Sequence, residues 1–134
     1  CKESGLRQDN FYSVMLAGDV AYHDYMGVTT DPEEQPLLVR SLGRCNHLIL
    51  RNHGLLVTGE DIPVAFQRLW TLQRACEVQL ASDAGLGPNR QVSPEILARV
   101  PETVRGMATG TVSNARRMFD AMVRRAGVSY EALI

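Results

Sequence analysis

The stretch Leu48-Ile49-Leu50-Arg51-Asn52-His53-Gly54-Leu55-Leu56-Val57 decides how this chain folds. Two short apolar runs flank a tight connection that contains Asn and Gly, which is typical of a β-hairpin, here predicted over residues 47–58. A histidine at the tip of such a hairpin is lifted off the hydrophobic core, where its imidazole can face a metal ion or a ligand. The same residues also fit a solvated turn histidine, so the rest of the chain has to separate the two interpretations.

Length and composition indicate a globular protein rather than a nucleic-acid-binding or membrane protein. The 134 residues suffice for one domain or part of one, and 45% are hydrophobic and 22% charged. The net charge of −1 exerts no bulk attraction on nucleic acid or anionic lipid. The longest apolar runs are too short to span a bilayer, and no basic region followed by an apolar stretch marks a secretory signal. We therefore expect neither nucleic acid nor a membrane as a partner.

The cysteines and the first residues suggest a cytoplasmic protein of which this chain is a piece. Cys1, Cys45 and Cys76 are odd in number and widely separated, which fits free thiols in a reducing compartment better than a disulfide framework. The absence of a Cys-x-x-Cys pair argues against a thiolate zinc site. The chain begins with Cys1 and enters as if in mid-helix, so we expect a partial domain that lacks its N-terminal part.

Local signals before the hairpin predict a strand and a helix. Residues 18–25 are rich in β-forming side chains and predict a strand that stops at Gly27. Asp31 followed by Pro32 and two glutamates predicts the start of a helix, because Asp caps the first turn and the acidic side chains suit the positive end of the helix dipole. This helix is expected to end at Gly43 and to face inward with Leu37, Leu38 and Leu42.

A long helix is predicted directly after the hairpin. Asp61 is its expected cap, Pro63 lies in its first turn, and the glycine- and proline-containing residues 84–88 end it. Side chains at three- and four-residue steps predict its buried stripe: Ile62, Phe66, Leu69, Gln73, Cys76 and Leu80.

The remaining chain is predicted to be helical. Residues 85–92 are rich in Gly, Pro and Asn and mark a boundary between an α/β body and a helical tail. A short helix is expected to start at Ser93 and to be interrupted at Pro101, and Ser113 is expected to cap a last amphipathic helix. That helix would bury Met118, Phe119, Met122 and Val123 and expose Arg116, Arg117, Arg124 and Arg125.

Three separated motifs resemble the class II aldolase/adducin family. Ala21-Tyr22-His23-Asp24-Tyr25-Met26-Gly27, the hairpin through Leu55, and Ala75-Cys76-Glu77-Val78-Gln79 occur in the same order as in that family. The resemblance covers about residues 5–84, and Arg51-Asn52-His53-Gly54 is its most specific part. The Ala-Tyr-His-Asp-Tyr motif is closer to the adducin head domain and its bacterial relatives than to typical sugar-phosphate aldolases.

The fold class follows from the elements and from the resemblance together. Strands interspersed with helices, including an antiparallel hairpin, predict a layered α/β domain with a mixed sheet. The resemblance implies that this domain is a three-layer αβα fold whose sheet is mostly antiparallel. By resemblance, residues 1–84 are the C-terminal part of a class II aldolase/adducin domain, and residues 85–134 are a helical extension of the same domain.

The resemblance implies a divalent metal, usually zinc, that is bound by three histidines. Two of these belong to an earlier His-x-His element, and the third stands where His53 stands here. Three imidazoles leave coordination positions open, so that the metal can stabilise the enediolate formed when a C–C bond breaks. His23, His47 and His53 are the only histidines of the chain and form no His-x-His pair. We therefore expect the other ligands and the acid/base residue upstream, and an inactive chain on its own.

The neighbours of His53 receive supporting roles, and no residue is assigned a catalytic one. Asn52 tolerates a positive φ and, with Gly54, would shape the turn. Arg51 would either meet an anionic substrate or, the interpretation that we favour, pair with a carboxylate. Tyr25 could line a pocket, whereas His23 is expected to be a packed residue of the sheet.

Three functions remain open for this sequence. The leading hypothesis is a metal-dependent aldolase-like lyase that acts on a small hydroxy-carbonyl or sugar-derived substrate, and family resemblance implies a homo-oligomer, commonly a tetramer. The alternative is a non-catalytic adducin-like interaction module of cytoskeletal type, although Lys2 is the only lysine and no Lys-rich tail is present. An epimerase or a decarboxylase on the same metal site is the third possibility.

Overall fold

The structure is a computed structural model, and it describes residues 2–27, 32–106 and 113–129. In these residues helices and strands alternate through the first half of the chain, and helices alone form the second half. The elements in chain order are α1 (Phe11–Met15), β1 (Val20–His23), α2 (Glu34–Leu42), β2 (His47–Leu50), β3 (Gly54–Val57), α3 (Ile62–Asp83), α4 (Pro94–Gly106) and α5 (Asn114–Ala126).

The central strand β2 has a parallel neighbour on one side and an antiparallel neighbour on the other. β1 runs parallel to β2, with Val20 opposite His47. β3 runs antiparallel to β2, with Leu50 opposite Gly54, and the Thr58 N–H donates to the Asn46 carbonyl at 3.0 Å beyond the last pair. The predicted hairpin and the predicted α/β fold with a mixed sheet are confirmed. The described strands make one pairing of each kind.

The two faces of the sheet are covered by different helices. Tyr22 and Ile49 point to the face that packs against α1 and α3. Residues alternate along a strand, so His23 and Leu48 point to the opposite face, where the His23 Nδ1 lies 2.9 Å from the Ser41 Oγ of α2. Helix, sheet and helix therefore form three layers. The buried cluster on the α3 side consists of Leu16, Ile49, Leu72 and Ala75.

The elements before the hairpin are shorter than the sequence predicted. β1 covers Val20–His23 rather than residues 18–25. The predicted cap Asp31 lies outside the described residues, and α2 begins only at Glu34, after Glu33. It ends before Gly43 as expected, but its leucines are half-buried rather than fully buried: Leu37, Leu38 and Leu42.

Helix α3 has the predicted limits. The Asp61 carboxylate accepts a hydrogen bond from the Val64 N–H at 2.8 Å, Pro63 lies in the first turn, and the helix ends at Asp83. These signals are local, since a cap and a proline act within one helical turn. The start and the end of α3 could therefore be predicted without any knowledge of its neighbours.

The buried face of α3 differs from the predicted stripe. Ile62 and Leu80 are 69% and 61% exposed, although both belong to that stripe. The fully buried side chains of the helix are Pro63, Leu72, Ala75 and Gln79. The prediction followed the apolar side chains, whereas the packed face contains a small alanine and a glutamine that forms hydrogen bonds.

The two last helices correct one prediction and confirm another. Pro101 lies inside α4 and does not interrupt it. A proline removes one backbone donor, and on this exposed helix water can reach the carbonyl that is left unpaired. The Ser113 Oγ accepts from the Arg116 N–H at 3.1 Å at the start of α5, and Val123 is buried as predicted. Among the described helices, none is both long enough and apolar enough to cross a bilayer.

Candidate functional site

The turn between β2 and β3 presents His53 at the protein surface. Asn52 has a φ of 57°, in the left-handed region that Asn adopts more readily than most residues. The His53 N–H donates to the Leu50 carbonyl at 3.0 Å, which closes the turn. Gly54 follows at the start of β3 and has open space where a side chain would stand. The His53 backbone is therefore fixed while its side chain is exposed.

His53 lines a cleft of about 390 Å³. Gly5 and Leu6 form one wall, and α3 contributes another through Cys76 and Gln79. The other residues that line the cleft are mostly apolar: Lys2, Ile49, Leu50, Asn52, Gly54, Leu55 and Leu80. An exposed imidazole thus stands beside a largely apolar cleft, so the position of His53 is compatible with ligand binding.

Residues 5–7, here called the wall segment, are attached to α3 by a buried glutamine. The Gln79 Nε2 donates to the Gly5 carbonyl at 3.0 Å, and its Oε1 accepts from the Arg7 N–H at 2.7 Å. The Arg7 guanidinium also pairs with Asp83 at the end of α3. Arg7 and then Lys2 hold the pKa of the Asp83 carboxyl well below its usual range. Side chains of α3 therefore position one whole side of the cleft.

Arg51 links the hairpin tip to β1. Its N–H donates to the His23 carbonyl at 2.9 Å. Its Nε lies 3.3 Å from an Asp24 carboxylate oxygen, and its guanidinium carbon lies 4.8 Å from the centre of the Tyr22 ring. Of the two roles considered for Arg51, pairing with a carboxylate is therefore the one that the structure shows.

The two other histidines are buried and engaged elsewhere. The Nδ1 of His23 lies near Ser41, and the Nδ1 of His47 lies 3.0 Å from the Asp19 carbonyl oxygen. Neither ring lines the cleft beside His53. Across residues 2–27, 32–106 and 113–129 there is no group of three His, Cys, Asp or Glu side chains that could hold a metal ion. The described residues thus offer His53 as a single imidazole and do not form a complete metal site.

The sequence did not identify every residue of the cleft. Tyr25 is exposed beyond β1 and does not line the cleft. Cys76 and Gln79 do line it, and their place in the third motif was the signal that could have found them. Leu6 carried no signal, because only its distant partner Tyr22 brings it there. Burial raises the pKa of the Cys76 thiol, so this side chain behaves as a small apolar group of the wall.

Comparisons with known proteins agree with this architecture. Residues 1–80 match the family model for the class II aldolase and adducin N-terminal domain. A class 2 aldolase-type protein of Pseudomonas aeruginosa is 35% identical over 126 residues, which are 93% of this chain and 49% of that protein. Mouse alpha-adducin is 38% identical over 117 residues, which cover 80% of this chain and 16% of the adducin.

A solved structure shows the same relationship in three dimensions. The aldolase II superfamily protein from Pseudomonas syringae superposes with a TM-score of 0.80 and 34% identity, over 93% of this chain and 49% of its own. This chain therefore spans about half the length of its bacterial relatives. The family match extends over more than half of the chain and agrees with the fold. The chain belongs to the class II aldolase and adducin N-terminal domain family.

Proposed function

We propose that this chain supplies part of the active site of a metal-dependent, aldolase-like lyase that acts on a small hydroxy-carbonyl or sugar-derived substrate. The observation on which the proposal rests is the exposed His53 imidazole, at a closed turn beside a cleft, in a chain of this family. His53 would be one metal ligand. The other ligands and the acid/base residue would come from residues outside this sequence.

The proposal assigns roles to the described residues from their positions. His53 would present a neutral imidazole nitrogen from a backbone that the turn holds still. Asn52 and Gly54 give the turn its shape, and Arg51 attaches it to β1. A divalent metal, with zinc the leading candidate for imidazole ligands, would polarise a carbonyl group of the substrate.

Association of copies is part of the proposal. Several large apolar side chains are exposed, among them Phe11, Ile62 and Leu80. We infer that further copies of the chain cover them in the intact protein, which would be a homo-oligomer. Light scattering on the full-length protein measures this directly, and a monomer at micromolar concentration would contradict it.

An adducin-like, non-catalytic interaction module is the second candidate. Similarity to mouse alpha-adducin over 80% of this chain favours it. The lyase would need a metal bound at His53 for its activity, whereas the interaction module would need none.

Metal analysis of the full-length protein that contains this chain tests the proposal. We expect one divalent metal per chain in the wild type. His53→Ala should weaken zinc binding by more than about tenfold, because changes of residues that only support a metal ligand already weaken binding by about that much. Arg125→Ala, an exposed change on α5, serves as the control and should retain the metal. Full metal content in His53→Ala would contradict the ligand role, and a metal-free wild type would favour the interaction module.

A further inference from the structure

The two sides of the cleft beside His53 come from distant parts of the chain, and Tyr22 joins them. The Tyr22 ring lies under the Arg51 guanidinium at 4.8 Å, next to the hairpin tip. Its hydroxyl oxygen accepts a hydrogen bond from the Leu6 N–H at 2.8 Å, in the wall segment. One side chain of β1 therefore contacts both the hairpin that presents His53 and the opposite wall.

The close approach at this point depends on a glycine. A Cβ on Gly5 would lie 2.5 Å from the Tyr22 hydroxyl oxygen, which is closer than real Cβ contacts. Gly5 also has a φ of 65°, a conformation that side chains rarely adopt. The backbone of the wall segment is therefore packed directly against the Tyr22 hydroxyl.

The ring, more than the ion pair, orients Arg51. The Asp24 carboxylate is 93% exposed, so water screens its attraction for the guanidinium. The Arg51 side chain itself is 29% exposed, and the aromatic face covers part of it. A guanidinium above an aromatic ring is held there by the ring quadrupole and by contact area. A change of the ring should thus disturb Arg51 more than a change of Asp24.

We propose that Tyr22 is a positioning residue for the His53 cleft: its ring holds Arg51 and the hairpin tip, and its hydroxyl holds the wall segment. Tyr22 itself does not line the cleft, so it acts through these partners. This inference rests on the proposed function for its effect on metal binding. The prediction that Tyr22 couples the hairpin tip to the wall segment does not depend on any metal.

Zinc binding by the full-length protein tests the ring. Tyr22→Leu removes both ring and hydroxyl and should weaken zinc binding about tenfold, as changes outside the ligand shell do. Tyr22→Phe restores the ring and should recover most of the affinity. Tyr12→Phe is the control for Tyr22→Phe, since the Tyr12 ring packs edge-on against Trp70 at 5.6 Å and does not line the cleft, and it should bind zinc as the wild type does. Wild-type zinc affinity in Tyr22→Leu would overturn the proposal.

Amide hydrogen exchange of the metal-free protein tests the hydroxyl and the coupling. Tyr22→Phe should speed exchange at Leu6, whose N–H loses its acceptor, and should leave His53 unchanged. Tyr22→Leu should speed exchange at both amides. If the wild type binds no zinc, the proposed function fails, and this measurement still decides the inference. Unchanged exchange at Leu6 in Tyr22→Phe, or at His53 in Tyr22→Leu, would overturn it.

Discussion

His47 is a buried histidine whose neighbours have opposite effects on its pKa. Its residue exposure is 3%, and its Nδ1 lies 3.0 Å from the Asp19 carbonyl oxygen and 3.1 Å from the carboxylate. Burial lowers the pKa of His47, the Asp19 carboxylate partly reverses this, and Arg68 of α3 lowers it further. The net direction is a pKa below the ordinary value of about 6.5, so the folded state favours the neutral ring.

This shift predicts how stability depends on pH. The unfolded chain takes up a proton on His47 before the folded one does, so the stabilisation is complete above about pH 6.5 and is lost as the pH falls toward the folded pKa. Urea unfolding between pH 8 and pH 5 measures this, and His47→Gln should show a shallower decline than the wild type. Arg125→Gln is the control and should keep the wild-type decline. Equal slopes in all three proteins would contradict the prediction.

A second prediction at the scale of single residues compares two glycines. Gly5 and Gly87 both have positive φ, at 65° and 90°, but only Gly5 has atoms near the place of a Cβ. Gly87→Ala should lower the free energy of unfolding by about 1–2 kcal/mol, which is the cost of the left-handed conformation for a residue with a side chain. Gly5→Ala should lower the free energy of unfolding by about 1–3 kcal/mol more than Gly87→Ala does, because the added methyl group overpacks against Tyr22. Urea unfolding measures both, and equal losses would show that Tyr22 yields without strain.

At the scale of elements, the start of α3 depends on one carboxylate. The Asp61 side chain accepts from the Val64 N–H at 2.8 Å, which satisfies a backbone donor that the helix leaves open. Asp61→Ala should lower the free energy of unfolding by about 1 kcal/mol. Asp61→Ser should retain most of the stabilisation by the cap, because Ser also caps helices. Equal losses in the two variants, measured by urea unfolding, would rule out the cap as the reason.

At the scale of the whole molecule, α5 packs onto α3 beyond the boundary that the sequence suggested. The Phe66 and Phe119 rings meet edge to face, with their centres 5.5 Å apart. We propose that residues 85–134 fold together with the preceding body as one domain. This contact should make the stability of α3 depend on α5.

Trp70, on α3, is the single tryptophan of the chain and reports on the folding of the body. Phe119→Ala should lower the free energy of unfolding by about 2 kcal/mol, less than for a fully buried ring. The loss should appear equally in Trp70 fluorescence and in helical circular dichroism. Leu86→Ala, at a fully exposed residue, should change the free energy of unfolding by no more than about 0.5 kcal/mol in either measurement. An unchanged fluorescence midpoint in Phe119→Ala would mean that the helical extension unfolds separately.

The features that could be predicted from the sequence alone are local ones. The hairpin follows from residues 47–58, because a short turn with Asn and Gly needs no distant partner. The limits of α3 follow from Asp61 and from the glycines after Asp83, and the position of His53 at an exposed tip follows from the hairpin. The family resemblance likewise rests on contiguous motifs.

Which faces are buried and what surrounds His53 depend on contacts between distant segments of the chain. Gln79 is buried because it binds a backbone segment 74 residues away in sequence, and Leu6 reaches the cleft because Tyr22 accepts its N–H. Such contacts leave no periodic signal in the sequence, so the predicted stripe of α3 was wrong at Ile62, Leu69 and Leu80, which are exposed, while its ends were right. Caps and turns act within a few residues of the chain, whereas clefts depend on which distant segments pack together.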